Sequence, residues 1–325
     1  MPLNNRDRKL LNLIQSEFPL TGEPFADLAQ RLGTSVDETL RDIARLKGAG
    51  IVRMIGPVMD SRSLGFHTTL VAMKVADASL EKAEQVIADH PGVSHGYERS
   101  HRFNVWFTLA LPSIMSIEGE LQSLTQSTGA EVAFSLPALR VFKIGAYFDM
   151  DEDSRTIPVT YGRTALISQV ELSGVDRRII NELQQDLPLV PAPFSAMAAK
   201  TDMNTEEFLV GCRSLQERGV IRRFSASINH RNAGFTANAM SCWAAPPDKI
   251  DAAGRMLASL RNVSHCYERK TNRYWQYGLL AMVHGRFREV CQDVAEKVSR
   301  QTGLTDFALL YSTKEFKKTR VKYLV

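Results

Sequence analysis

The chain carries nearly the same sequence twice, which confines it to two like folding units joined as a built-in heterodimer. DRKLLNLIQSEFPL begins at Asp7 and DRRIINELQQDLPL at Asp176. Gly50-Ile51-Val52-Arg53 recurs as Gly219-Val220-Ile221-Arg222, and Gly65-Phe66 as Gly234-Phe235, each 169 positions on. VSHGYER at Val93 returns as VSHCYER at Val263, 170 positions on. In an exact homodimer both halves must carry identical surfaces. Two joined copies can differ, so one wall of a shared site can keep polar groups that the other has lost.

Each repeat opens with a helical period. Leu10, Leu11 and Ile14 give one apolar stripe. Pro24–Leu32 forms a second short helix, Gly33-Thr34-Ser35 a turn, and Val36–Lys47 a third helix stopped at Gly48–Gly50. Ile51–Met59 then reads as a strand or wing, completing a winged helix-turn-helix. The period next changes to strand at Phe66–Val75, helix at Leu80–Ala88, strands at Val93–Arg99 and Asn104–Leu111, helix at Ile114–Ser127 and strand at Glu131–Phe142. That order, βαββαβ, is the ferredoxin-like sandwich. The fold class is therefore α+β, a tandem duplication of winged helix-turn-helix plus ferredoxin-like sandwich. The expected domains are 1–61, 62–150, 173–231 and 232–325, with a polar linker at 151–172.

Composition excludes several classes. Apolar content of 44% and charged content of 23% are those of a soluble globular protein, and no apolar run reaches the length of a membrane span. The start, MPLNNRDRKLLNLIQ, lacks a basic stretch followed by an apolar core, so the expected location is cytoplasmic. Cys212, Cys242, Cys266 and Cys291 show no CxxC spacing, which argues against a zinc site or disulfide framework. A net charge of +4 permits an acidic ligand without demanding nucleic acid. The third helices open on Ser35-Val36-Asp37-Glu38-Thr39 and on Met203-Asn204-Thr205-Glu206-Glu207. Carboxylates there repel a polyanion, so no nucleic-acid partner is expected.

The architecture resembles the Lrp/AsnC regulators, which bind DNA through the helical domain. Sharper matches lie in IRRF at Ile221 continuing through NHRNAGFTANAMSCW, in CYERKTNRYWQYGLLAMVHG from Cys266, and in YERSHRFNVWFTL from Tyr97. These segments resemble the siroheme decarboxylases, usually two homologous subunits and here fused. Tyr277-Gly278 departs from the family's more frequent Tyr-Asn, so no role is given to that position. The resemblance implies removal of two acetate carboxylates from siroheme, giving 12,18-didecarboxysiroheme and two CO2. It implies no cofactor beyond the iron tetrapyrrole substrate and an intramolecular pseudo-dimer, with further pairing of chains left open. A DNA-binding regulator and a non-catalytic tetrapyrrole carrier are the alternatives.

A flat, many-carboxylate macrocycle calls for an apolar slot and for arginine forks, which match carboxylates with two parallel hydrogen bonds. The substrate-binding candidates are Arg53, Arg222, Arg223, Arg231 and Asn238, the repeat equivalents Tyr97 and Tyr267 with Arg269, and Trp106, Trp275 and His284. Arg99 and the acid histidines His101 and His230 are the catalytic candidates, with His284 an alternative acid. His101, His230 and His284 have no histidine counterpart in the other half, as a single composite site requires. His95 and His265 are retained in both halves, which suits a structural role. No protein-bound metal is expected, and a histidine ligand to the substrate iron is left unassigned. Lys143 and Lys317 close the two sandwiches in similar places.

Overall fold

The computed structural model describes residues 3–145, 147, 148, 150 and 169–323, so most of the expected linker lies outside the described residues. The first repeat runs α1 (Asn5–Ser16), α2 (Pro24–Leu32), α3 (Val36–Gly48) and β1 (Val52–Met59). Its sandwich follows as β2 (Phe66–Lys74), α4 (Asp77–Asp89), β3 (Val93–Arg99), β4 (Val105–Pro112), α5 (Ile117–Thr128) and β5 (Val132–Ile144). The second repeat runs α6 (Gly174–Leu183), α7 (Pro193–Ala198), α8 (Thr205–Glu217) and β6 (Ile221–Ile228). Its sandwich is β7 (Ala237–Trp243), α9 (Pro247–Ser259), β8 (Val263–Arg269), β9 (Leu279–Gly285), α10 (Arg288–Thr302) and β10 (Phe307–Lys318). Both units are of the expected type. The helix expected from Ile114 starts three residues later, because Ile114 and Met115 lie exposed in a turn and Ser116 supplies the cap.

Local chemistry explains the helix starts. α1, α3, α6 and α8 all begin with capping boxes, formed by Asn4 with Asp7, Ser35 with Glu38, Ser173 with Asp176 and Asn204 with Glu207. The carboxylates that open the would-be recognition helices α3 and α8 thus accept from their own N-cap backbones, each at 3.0 Å. The expected wings do not stand alone. β1 and β6 pair with each other, antiparallel, as a two-stranded ribbon joining the two helical units. Each unit contributes only one such strand, and its homologue supplies the missing ladder.

The two sandwich sheets also meet edge to edge. β5 pairs with β8 and β10 with β3, closing an eight-stranded barrel in the order β10-β3-β4-β2-β5-β8-β9-β7. Closure removes all the free edges. Outward-facing strand residues pack on the helices of their own repeat: Val71, Phe107 and Leu109 in the first, Trp243, Leu279 and Val283 in the second. A separate cluster, including Ala72, Trp106, Leu136, Met240, Leu280 and Leu310, draws strand residues from both repeats and none from the helices, so it fills the barrel.

Lys143 and Lys317 donate to the carbonyls of Leu260 and His90, the C-cap residues of α9 and α4. Their repetition is helix capping from below. Close packing on the outside predicts a stability effect. A Cβ on Gly254 of α9 would lie 2.4 Å from the Phe142 ring. Gly254→Val is expected to destabilise the protein by about 1–3 kcal/mol of overpacking strain, read as a lower urea midpoint; an unchanged unfolding curve would contradict that packing.

A histidine and arginine cluster at one end of the barrel

Alternation along the strands turns Tyr97 and Arg99 on β3, Tyr267 and Arg269 on β8, Asn238 on β7 and His284 on β9 into the barrel. Their chain neighbours Gly96, Cys266, Ala239 and Val283 pack outward on the helices. The barrel end that faces the β1–β6 ribbon gathers the inward histidines. His95 and His265 enter from the first turns of β3 and β8, and His284 stands opposite Asn238 across the β7–β9 ladder. His230, just beyond β6, is buried with its ring 5.3 Å from that of His284. Phe148 covers both: it stacks on His230 at 5.5 Å and meets His284 edge-on at 5.0 Å. Gln15 of α1 fixes Phe148, accepting from its N–H at 3.0 Å and donating to its carbonyl at 3.2 Å.

Cations surround these rings. Lys318 lies 3.4 Å from His230 Nδ1, and Arg53 binds Glu315 at 2.6 Å. Arg231 donates to the Ser312 carbonyl at 3.4 Å. Arg320 holds the ribbon through the carbonyl of Pro57 at 2.7 Å. Arg223, on β6, is electrostatically coupled to both His265 and Arg320. Burial first, then the charge of Lys318, pushes His230 down to about 3 and His95 down to about 4. Burial, then His95 and Arg223, pushes His265 down to about 3, and burial, then His230, holds His284 well below the ordinary imidazole range. All four are neutral at ordinary pH. The carboxylate in the group is Glu315; burial raises it, but Lys318 and Arg53 outweigh that and hold it ionised.

Neutral His230 fixes its own hydrogen bonds. Lys318 can only donate, so Nδ1 accepts and Nε2 carries the proton. Asn238, 3.3 Å from Nε2, therefore turns its amide oxygen toward it, which also gives that otherwise unpartnered oxygen a donor.

Buried polar atoms without a hydrogen-bond partner gather here: Arg53 Nε, Arg223 Nε, His284 Nδ1 and Ser312 Oγ, while Glu315 Oε2 is ion-paired with Lys318 at 3.6 Å. A folded protein leaves few such atoms, and each calls for a ligand or water to meet it. Deeper in the barrel, Arg99 and Arg269 donate to the carbonyls of Leu310 and Leu136 at 2.9 and 2.7 Å and lie over Tyr97 and Tyr267 at 5.2 and 4.6 Å. Their Nε atoms are also unpartnered, and burial lowers both guanidiniums to about 10.

The structure thus brings together His230, His284, Asn238, Arg53, Arg223, Arg231, Tyr97 and Arg99, with Tyr267 and Arg269 across the barrel. Arg222 lies apart, ion-paired with Asp60. His101, Trp106 and Trp275 sit at the opposite end. There the His101 ring meets Trp275 at 5.4 Å, and its Nδ1 accepts from the Phe103 N–H at 3.1 Å. Trp106 donates to the Phe103 carbonyl at 2.6 Å. A surface hollow of about 330 Å³ lined by Leu64, Phe66, Val170 and Arg177 contains none of the histidines.

Sequence reasoning did not select Lys318, Glu315, Ser264 or Phe148. A signal existed for the first two. β10 places Ser312, Glu315 and Lys318 opposite Arg99, Tyr97 and His95. At the matching positions β5 places Ala138, Val141 and Ile144 opposite Arg269, Tyr267 and His265. His284 and Asn238 likewise correspond to Ala110 and Thr68, which pair across β4 and β2. The polar wall has been kept at one seam of the barrel and replaced by apolar residues at the other.

Two sequence patterns cover both repeats: an AsnC-like ligand binding domain at 63–143 and 232–317, and a siroheme decarboxylase NirDL-like HTH domain at 7–53 and 176–222. A siroheme decarboxylase of Hydrogenobacter thermophilus is 41% identical over 99% of this chain and 96% of its own. The chain belongs to the siroheme decarboxylases. The siroheme decarboxylase NirDL subunit of Paracoccus denitrificans is 30% identical over 98% of this chain and 97% of its own length. The siroheme decarboxylase beta subunit of Methanosarcina barkeri is 40% identical and matches 46% of this chain with 99% of itself, as a half-length relative of a fused chain would. The crystal structure of the siroheme decarboxylase NirDL superposes with a TM-score of 0.73 at 38% identity, covering 99% of this chain and 95% of that one. That protein has also been crystallised in co-complex with an iron-uroporphyrin III analogue.

Among the described residues no helix is long and apolar enough to cross a membrane. All four cysteines are buried and free.

Proposed function

We propose that this protein is a cytoplasmic carboxy-lyase that removes two acetate carboxylates from siroheme, giving 12,18-didecarboxysiroheme and two CO2. The observation that carries the reading is the surplus of half-buried cations at one barrel end, two of them with a buried Nε that has no hydrogen-bond partner, and with Glu315 as their carboxylate. Burying positive charge without a partner is costly, and a many-carboxylate ligand relieves that cost. Arg53, Arg223, Arg231 and Lys318 hold the distant carboxylates. That binding free energy places a reacting acetate against His284 in a dry pocket, where a carboxylate is disfavoured and neutral CO2 is not.

As each C–C bond breaks, its electron pair remains with the methylene carbon and is delocalised into the attached tetrapyrrole ring, which serves as electron sink until that carbon is protonated. No organic cofactor is then required beyond the iron tetrapyrrole itself. A proton from His284, with His230 beside it, converts CH2 to methyl. His284 is preferred because its Nδ1 is the buried histidine nitrogen that lacks a partner. No nucleic-acid partner is proposed, since the leading carboxylates of α3 and α8 cap their own helices.

Anaerobic siroheme mixed with the purified protein and followed by mass spectrometry is the direct test. Loss of the mass of two CO2 supports the proposal. A shifted absorption spectrum at unchanged mass would replace it with a carrier role, and tight sequence-selective binding in a low-salt gel shift with no effect on siroheme would replace it with a regulator.

The lowered histidines also predict a flat pH response. In the free protein they are neutral above about 4, and their burial keeps them neutral with a ligand bound. Siroheme affinity should therefore change little as pH falls from about 8 to 6, a range in which the ligand's carboxylates stay ionised. Calorimetry in buffers of different ionisation heat should show no net proton uptake; uptake of a proton or more on binding would contradict this electrostatic account.

A further inference from the structure

We propose that Ser264 relays a proton from His265 to His284 at each loss of CO2; this deepens the decarboxylase reading and rests on it. Ser264 is 3% exposed on β8, between its chain neighbour His265 and His284 on the adjacent strand β9. Its Oγ lies 2.7 Å from His284 Nε2 and 2.9 Å from His265 Nδ1. A hydroxyl has one proton to donate and lone pairs to accept with. When Oγ–H donates to His284 Nε2, the neutral ring carries its own proton on Nδ1, the buried nitrogen that has no partner. Oγ then accepts from Nδ1–H of His265, a half-buried residue.

The arrangement moves one proton per CO2. The bond between the methylene carbon and the carboxylate breaks, and CO2 leaves without the bonding pair. His284 Nδ1 gives its proton to that pair, forming the methyl C–H bond. The Ser264 proton passes to His284 Nε2, the His265 Nδ1 proton passes to Ser264, and water protonates His265 on Nε2, releasing hydroxide to the solvent, so that each CO2 lost consumes one solvent proton. Every ring stays neutral, as the burial of these histidines requires. The substrate must reposition to present its second acetate, and in that interval the chain re-equilibrates with water. The first repeat keeps the first two members, with Ser94 Oγ 2.8 Å from His95 Nδ1, but has Ala110 where His284 would stand. The complete relay belongs to the second repeat alone.

The test is single-turnover decarboxylation of anaerobic siroheme by Ser264→Ala, Ser264→Thr and Ser94→Ala, each also titrated with siroheme by absorbance and followed in H2O/D2O mixtures. Ser264→Ala is expected to slow the step by about 30-fold or more, within the range of lost acid catalysis, while affinity changes by less than about threefold. Ser264→Thr, which restores a hydroxyl, should recover most of the rate. The proton inventory should curve in the parent and in Ser94→Ala, because several protons move together, and become linear in Ser264→Ala. A parental rate in Ser264→Ala, an unchanged inventory, or parallel loss of binding and rate that threonine does not rescue would each overturn the relay. A parent protein that removes no CO2 overturns the decarboxylase reading itself, a result distinct from the other three.

Discussion

His284→Ala is expected to slow siroheme decarboxylation by about 10²–10⁴-fold in a single turnover, the range spanned by loss of a positioned acid. Siroheme binding should change far less, because the arginines and Lys318 that hold its carboxylates remain. The argument is geometric. His284 reaches the inner wall because β9 alternates, with Leu279, Ala281 and Val283 anchored among the helices and the residues between them turned inward. Phe148 and His230 pack against its ring, and Ser264 fixes Nε2, so Nδ1 is the atom left to face a ligand. His101→Ala serves as the contrast. His101 lies at the far end of the barrel beside Trp275, with Nδ1 already engaged. Its loss should leave the rate within about threefold of the parent, since acid catalysis needs hydrogen-bond reach of the reacting carbon. If His101→Ala lost the activity and His284→Ala kept it, the reaction would have to be moved to the opposite end.

Lys318→Met should weaken siroheme binding by about tenfold or more, the equivalent of one charge-assisted hydrogen bond at roughly 1.5–3 kcal/mol. The same substitution should raise the Tm of the free protein by about 1–2 °C for each kcal/mol of relieved desolvation. The two effects have one cause. Lys318 is largely buried among His230, Arg53 and Arg231, with Glu315 3.6 Å away and already bound to Arg53. A cation held there costs stability until an anion arrives. Methionine keeps much of the stem's volume and removes the charge. The histidines should respond as well: without Lys318 the depression of His95 and His230 eases, and their titration moves up from about 4 and about 3. A lower Tm together with unchanged affinity would contradict the view that this cation is kept for the ligand. Salt should weaken binding in the parent more than in the variant.

Local signals carried much of the architecture. Gly33 ends α2 in the left-handed conformation, and Ser35, Asn204 and their partners three residues on mark the starts of α3 and α8. These are interactions between residues a few positions apart, and a sequence exposes them directly. The order of strands and helices in each sandwich was likewise legible from the change of period.

The site was legible only in part. His230, His284, Asn238 and the arginines of the ribbon stand out by motif and by their asymmetry between repeats. His101 and Trp275 belong to the same quoted segments but lie at the other end, because His95 and His265 open β3 and β8 whereas YER closes them, so the length of the strand separates the histidines from the loop that follows YER. His95 and His265 recur in both halves and suggest scaffolding until the seams close and place them beside Lys318 and Ser264.

The amino-acid sequence by itself determined two copies of a helical unit and a βαββαβ unit, because capping, turn glycines and hydrophobic period act over a few residues. Only the tertiary structure decided that β1 pairs with β6 and that the sandwich edges close into one barrel. Those pairings join residues more than a hundred positions apart, as with Tyr97 and Glu315 or Val52 and Ile228. No local pattern specifies such a partner; it is selected by pairing the edges that each repeat's sandwich leaves open, and that choice is what gathers the histidines and cations into a single place.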